Sequence, residues 1–119
     1  MVHYSKANLD NIFFALSDSV RREILTLLLR SEINIKNIST HFQITLQGVI
    51  KHIKILERAN LVQKEKIGRE NICRINTIPL TDATEFINYY TQFWQHNIDN
   101  LSDYLISMEK KMEGDKTNG

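Results

Sequence analysis

The sequence predicts a mainly α-helical domain carrying one small β-hairpin, and three observations support that expectation. Apolar residues recur at three- and four-residue spacing along most of the chain, the period of a helix with one buried face. Glycine and proline, which punctuate sandwiches and barrels, number only 4 and 1 in 119 residues. The helical period lapses in one place, residues 61–76, where Val, Leu and Ile flank Gly68-Arg69-Glu70. Hydrophobic residues at 42% and charged residues at 24% exclude disordered and collagen-like classes. A chain of this length buries one core. The expected organisation is a single domain over residues 1–113 with a polar, disordered tail at 114–119.

Leu9, Ile12, Phe13 and Leu16 form one apolar stripe, so a short first helix is expected there. Ser17 or Asp18 reads as the N-cap of a second helix, in which Val20, Ile24, Leu27 and Leu28 restart the period as far as about Arg30. Ile33-Asn34-Ile35 alternates like a strand and is long enough only to bridge to a sheet edge. A third helix is expected over residues 36–42, with Ile38 and Phe42 inward at i and i+4. Thr45 is placed to cap a fourth helix carrying Val49, Ile50, Ile53 and Leu56. The gap of about three residues between helices three and four is that of a helix-turn-helix, whose second helix enters the DNA major groove. Asn60 tolerates the left-handed conformation that ends helices, and Leu61–Ile67 with Asn71–Asn76 then read as the hairpin.

From Leu80 the period returns and persists through Ala83, Ile87, Tyr90, Trp94, Ile98, Leu101, Leu105, Met108 and Met112. More than four heptads of apolar stripe exceed what one small body covers, so the stripe is expected to meet a second copy of itself, together with Leu9, Ile12 and Phe13 of the first helix. Phe86, Phe93 and Tyr104 form a flanking stripe that is expected to face its own protomer.

The net charge of +1 conceals a polarised chain. Residues 1–35 balance four basic against four acidic side chains; residues 36–74 carry eight basic against three acidic; residues 75–119 carry three against seven. A concentrated positive segment attracts a polyanion locally. Residues 1–16 carry Asp10 and Asn11 where a signal peptide needs an unbroken apolar run, and no segment reads as a membrane span, so a cytoplasmic protein with no membrane partner is expected.

Taken together, Leu16-Ser17-Asp18-Ser19-Val20-Arg21-Arg22-Glu23-Ile24-Leu25, the block from Val49 to Val62 and Gly68-Arg69-Glu70 resemble the ArsR-type (ArsR/SmtB) winged helix-turn-helix repressors over roughly residues 9–105. Phe93-Trp94 and Leu101-Ser102-Asp103-Tyr104-Leu105 are similar to the last helix of that family's metal-independent branch. The resemblance implies a fold of order α-α-[β]-α-α-β-β-α, dimeric through its first and last helices. It also implies a repressor that binds double-stranded DNA at an inverted-repeat operator, with the fourth helix reading and the hairpin as the wing. The expected DNA-binding residues are Thr45, Gln47, Gly48, Ile50, Lys51, His52 and Lys54 on that helix and Lys64, Lys66 and Arg69 on the wing, with Arg74 adding charge. The expected dimer residues are Leu9, Ile12, Phe13, Ile87, Tyr90, Trp94, Ile98, Leu101 and Leu105. Three positions depart from the family pattern: Ile50 replaces a small hydroxyl residue, Asn60 replaces Gly, and Gly48 sits inside a helix at a cost of about 1 kcal/mol relative to Ala.

Other functional classes are less well served. A thiolate metal site needs clustered cysteines, and Cys73 is the only one. On the last helix only Asp99 and Asp103 lie one turn apart, with His96 the single histidine, so no metal or other cofactor is expected. Cys73 also supports an alternative, a redox-responsive regulator; a helical protein–protein adaptor is another. Tyr89, Tyr90, Phe93 and Trp94 are candidates to line an apolar effector pocket, although no motif specifies an effector. The sequence has no Gly-rich phosphate loop, nucleophile elbow or HExxH, so an enzyme is not expected.

Overall fold

Each helix in this protein starts or stops where a specific side chain satisfies its end groups. In the computed structural model the elements run α1 (Lys6–Leu16), α2 (Ser19–Arg30), β1 (Ile33–Asn34), α3 (Ile35–Phe42), α4 (Leu46–Arg58), β2 (Val62–Ile67), β3 (Glu70–Ile75) and α5 (Ile78–Thr117). The structure describes the backbone of residues 6–117 and the side-chain environment of residues 8–113. This is the expected mainly α order with a small antiparallel sheet, the arrangement of a winged helix-turn-helix.

The last carbonyls of α1 are closed by the start of α2. Phe14 O accepts from the Ser17 backbone and hydroxyl, Ala15 O from Arg21 Nε at 2.9 Å, and Leu16 O from Arg22 Nη1 at 2.7 Å. Cationic donors at a helix C-terminus also oppose the negative end of its dipole. Asp18 is the N-cap of α2, accepting from the Arg21 N–H. Asn34 caps α3 in the same way, so that helix begins at Ile35, one residue before the expected start.

The sheet has strand order β1-β3-β2 and is antiparallel throughout. Ile33 and Asn34 pair with Cys73 and Ile72, the short edge bridge that the sequence suggested. In the hairpin Ile67 pairs with Glu70, which leaves Gly68-Arg69 as a two-residue loop. Gly68 has φ +62°, the positive value that the first position of a type II′ turn requires. Ile12, Ile24, Ile38, Val49, Ile53, Leu56 and Leu61 are fully buried together with Cys73. Each aliphatic side chain in such a position contributes about 1.5–3 kcal/mol relative to exposure.

The chain divides into two compact units, Met1–Thr84 and Glu85–Gly119. Helix α5 begins in the first unit, where Pro79 and Ala83 are buried, and its remainder forms the second. It is helical to Thr117. Of the tail expected at 114–119, residues 118 and 119 and all six side chains lie outside the described residues.

One expectation about packing is corrected. Leu9 and Ile12, assigned to the dimer, are 7% and 0% exposed, because with Ala15 they are the face α1 turns to the protomer core. Phe13, on the neighbouring flank of α1, is half-buried. In the flanking stripe of α5, Phe93 and Tyr104 are exposed and Phe86 is half-covered.

Candidate nucleic-acid interface

The turn between α3 and α4 is built from hydrogen bonds that need no glycine. Gln43 takes the left-handed conformation at φ 55°, ψ 37° and ends α3. Its N–H donates to Thr40 O and the Ile44 N–H to Ser39 O, the paired bonds of a Schellman motif. The Ser39 hydroxyl donates to Ile44 O at 2.6 Å and ties the turn back to its own helix. A left-handed glutamine was not legible in the sequence. Helix α4 ends identically, with Asn60 at φ 60°, Asn60 N–H on Glu57 O and Leu61 N–H on Leu56 O.

Thr45 caps α4, its Oγ1 accepting from the Gly48 N–H at 3.0 Å. A β-carbon at Gly48 would lie 3.2 Å from the same oxygen, a tight contact that a shift of a few tenths of an ångström relieves. Val49, Ile53 and Leu56 face the core. On the opposite side, Gln47, Lys51, Lys54 and Arg58 are exposed at i, i+4, i+7 and i+11, within about 60° of arc at 100° per residue. Arg58 was not among the expected contacts, although its spacing from Lys54 placed it on the same stripe. Ile50 is half-buried beside the stripe.

His52 is corrected. It belongs to α4 but turns sideways to α2, where its Nδ1 lies 3.3 Å from Arg21 Nη1 and 4.0 Å from Asp18 Oδ2. The Arg21 N–H, with the Arg21 guanidinium beside it, holds the Asp18 carboxyl below the usual carboxylate range. The sequence reading did not single out Arg21, because a buried arginine cannot be told from an exposed one by spacing.

The wing carries less loose charge than its composition suggests. Arg74 is paired with Glu32 at 2.7 Å and with Glu65, so its expected contribution of free positive charge is withdrawn. Lys64 approaches Glu57 of α4 at 3.9 Å, a partly exposed pair of small value. Lys66 and Arg69 are exposed at the tip. Helix α4 and β2 are in contact within the first unit.

In the second unit Ile87, Tyr90, Trp94, Ile98, Leu101 and Leu105 are all exposed, Trp94 at 66%. Tyr89 and Phe93 are exposed as well. Cys73 is fully buried, and desolvation pushes its thiol up to about 11, the opposite of a reactive sensor. The redox alternative is therefore withdrawn. Among the described residues no three His, Cys, Asp or Glu side chains gather as a metal site would require. No helix there is long and apolar enough to cross a membrane.

Residues 18–64 match the family described as bacterial regulatory protein, arsR family. The chain is similar to the transcriptional repressor SdpR of Bacillus subtilis (strain 168), 32% identical over 85 residues, which span 71% of this chain and 91% of the relative. The crystal structure of an ArsR family transcriptional regulator, RHA00566, superposes with TM-score 0.73 at 29% identity, covering 80% of this chain and 97% of that one. The solution structure of a homodimeric winged helix-turn-helix DNA-binding domain from Mycobacterium bovis shares the fold at TM-score 0.58 and 20% identity, over 81% of this chain and 96% of its own.

Proposed function

Because the chain belongs to the ArsR family of bacterial regulatory proteins, we propose that it is a dimeric, DNA-binding transcriptional repressor that works in the cytoplasm without a catalytic step. Helix α4 enters the major groove of an inverted-repeat operator, and the β2–β3 hairpin lies along the neighbouring backbone as the wing. The observation that carries this reading is the exposed stripe of Gln47, Lys51 and Lys54, standing directly after a helix-turn-helix whose turn is locked by five hydrogen bonds. A glutamine at the start of such a helix matches the paired donor and acceptor of adenine, and lysines there suit guanine or phosphate. The Thr45 hydroxyl uses its oxygen on Gly48 and keeps its proton for a phosphate. Gly48 and Ile50 border the contact, and Lys64, Lys66 and Arg69 add sequence-independent attraction.

The name given to SdpR supports repression rather than activation. The second unit supports the dimer, its exposed stripe from Ile87 to Leu105 being the surface that a second copy covers, with Phe13 and without Leu9 and Ile12. Residues 1–113 then act as one DNA-binding and dimerisation module. A single, buried cysteine supports indifference to metals, so tens of micromolar zinc leave DNA affinity unchanged within tenfold.

The test is fluorescence anisotropy on a duplex selected by the full chain from a random pool, against a scrambled duplex, at several salt concentrations. Gln47→Ala costs about 1–3 kcal/mol on the selected duplex and little on the scrambled one. Lys66→Ala weakens both alike and flattens the log–log salt slope by about one per phosphate released. If Gln47→Ala and Lys51→Ala both bind the selected duplex like the parent chain, α4 is not the reading element and the protein is an adaptor.

A further inference from the structure

Arg21 has 6% of its surface exposed, and a guanidinium at that burial persists only where its donors are used. Nε donates to Ala15 O and Nη2 to Phe14 O, both at 2.9 Å, and the group lies 5.2 Å from the centre of the Phe14 ring. Those contacts close the C-terminus of α1. The remaining nitrogen, Nη1, reaches a different element, lying 3.3 Å from His52 Nδ1 in the middle of α4. Arginine has no lone pair to offer, so His52 Nδ1 accepts and the ring proton resides on Nε2. Asp18, the N-cap of α2, is 4.0 Å from the same Nδ1. One buried side chain thus joins the end of α1, the start of α2 and the flank of α4.

We propose that Arg21 is a positioning residue for DNA reading: through His52 it fixes the rotation of α4 about its own axis, so that Gln47, Lys51 and Lys54 meet the base edges in register. The inference rests on α4 being the reading helix. Its physical basis is the difference between two kinds of contact. Val49, Ile53 and Leu56 hold α4 by apolar burial, which is non-directional. Close packing resists rotation of α4 without fixing a bonded direction, and a twist of about 20° carries a side-chain tip about 6 Å from the axis through about 2 Å. A hydrogen bond to a base edge does not survive that displacement. The Arg21–His52 bond is directional, and His52 sits about 100° around the helix from Lys51, so it adds a directional restraint on the azimuth to the one that packing supplies.

The experiment compares His52→Leu, which removes the acceptor, with His52→Asn, whose amide oxygen replaces Nδ1. Affinities of the full chain are measured for a duplex selected from a random pool and for its scrambled counterpart, over a range of salt. His52→Leu lowers discrimination between the two duplexes about tenfold, with scrambled-duplex affinity and salt slope unchanged, and His52→Asn stays within about twofold of the parent chain. Retention of full discrimination by His52→Leu overturns the proposal. So does an equal loss on both duplexes by both variants with a shallower salt slope, which makes His52 a phosphate contact. If the parent chain enriches no duplex, the DNA-reading assignment itself falls, an outcome distinct from either. The 15N signals of the His52 ring give a check independent of any variant: an unprotonated Nδ1 with a protonated Nε2 is expected, and the reverse tautomer overturns the proposal.

Discussion

A β-carbon at residue 48 would stand 3.2 Å from Thr45 Oγ1, the atom that caps α4. Two opposing effects meet at that point. Alanine in a helix interior is favoured over glycine by about 1 kcal/mol, whereas disturbing a threonine cap costs about 0.5–2 kcal/mol. Gly48→Ala is therefore expected to gain little in the parent chain and about 1 kcal/mol in a Thr45→Ala background. Urea unfolding of the four proteins measures the coupling, and strict additivity would show that the cap and the glycine are independent.

Asp18 makes folding sensitive to acid. Its carboxyl is held below the ordinary carboxylate value first by the Arg21 N–H, so the stabilisation it contributes is complete above about pH 4 and is lost as pH falls through its folded value. Asp18→Asn keeps a capping oxygen and removes the titration. Urea midpoints from pH 5 to pH 2.5 should fall less steeply for Asp18→Asn than for the parent chain.

Cys73 responds at the other end of the scale. Its thiol is raised to about 11, so folding favours the neutral form and stability declines as pH rises from about 9 towards 11. The native chain should resist iodoacetamide at pH 8 and react fully once unfolded. Cys73→Ser, which leaves a hydroxyl among Ile33, Lys64 and the rest of the sheet, should cost about 1–3 kcal/mol in urea unfolding.

The exposed stripe of the second unit separates folding from assembly. Ile98→Glu and Leu101→Glu alter side chains that make no core, so the monomer fold is expected to survive by circular dichroism. Sedimentation at micromolar concentration should show the parent chain as a dimer and the double variant as a monomer. A dimer that persists in the variant places the contact elsewhere.

The helices were readable because their signals are local. Asp18 and Thr45 cap where expected, Asn60 ends α4 in the left-handed conformation, and Gly68 opens the hairpin turn. Expectations failed where a residue's role depends on what lies across from it. Leu9 and Ile12 share their period with any apolar stripe, and only packing shows that the stripe faces inward. His52 and Arg74 look like neighbours of other basic residues until Arg21, Glu32 and Glu65 are brought against them by elements up to 42 residues away. Gln43 departs from the usual preference for glycine at its conformation because paired backbone bonds and the Ser39 hydroxyl hold it there.

Helix α4 is bounded at both ends, by a threonine cap and by a left-handed asparagine, to 13 residues. At 1.5 Å per residue that is about 20 Å of rod, and at 3.4 Å per base step a groove of that length holds about six base pairs. The vocabulary of one protomer is thereby capped. On the proposed reading by two copies of α4, a site longer than about twelve base pairs draws its remaining selectivity from the bendability and groove width of the DNA beyond those helices.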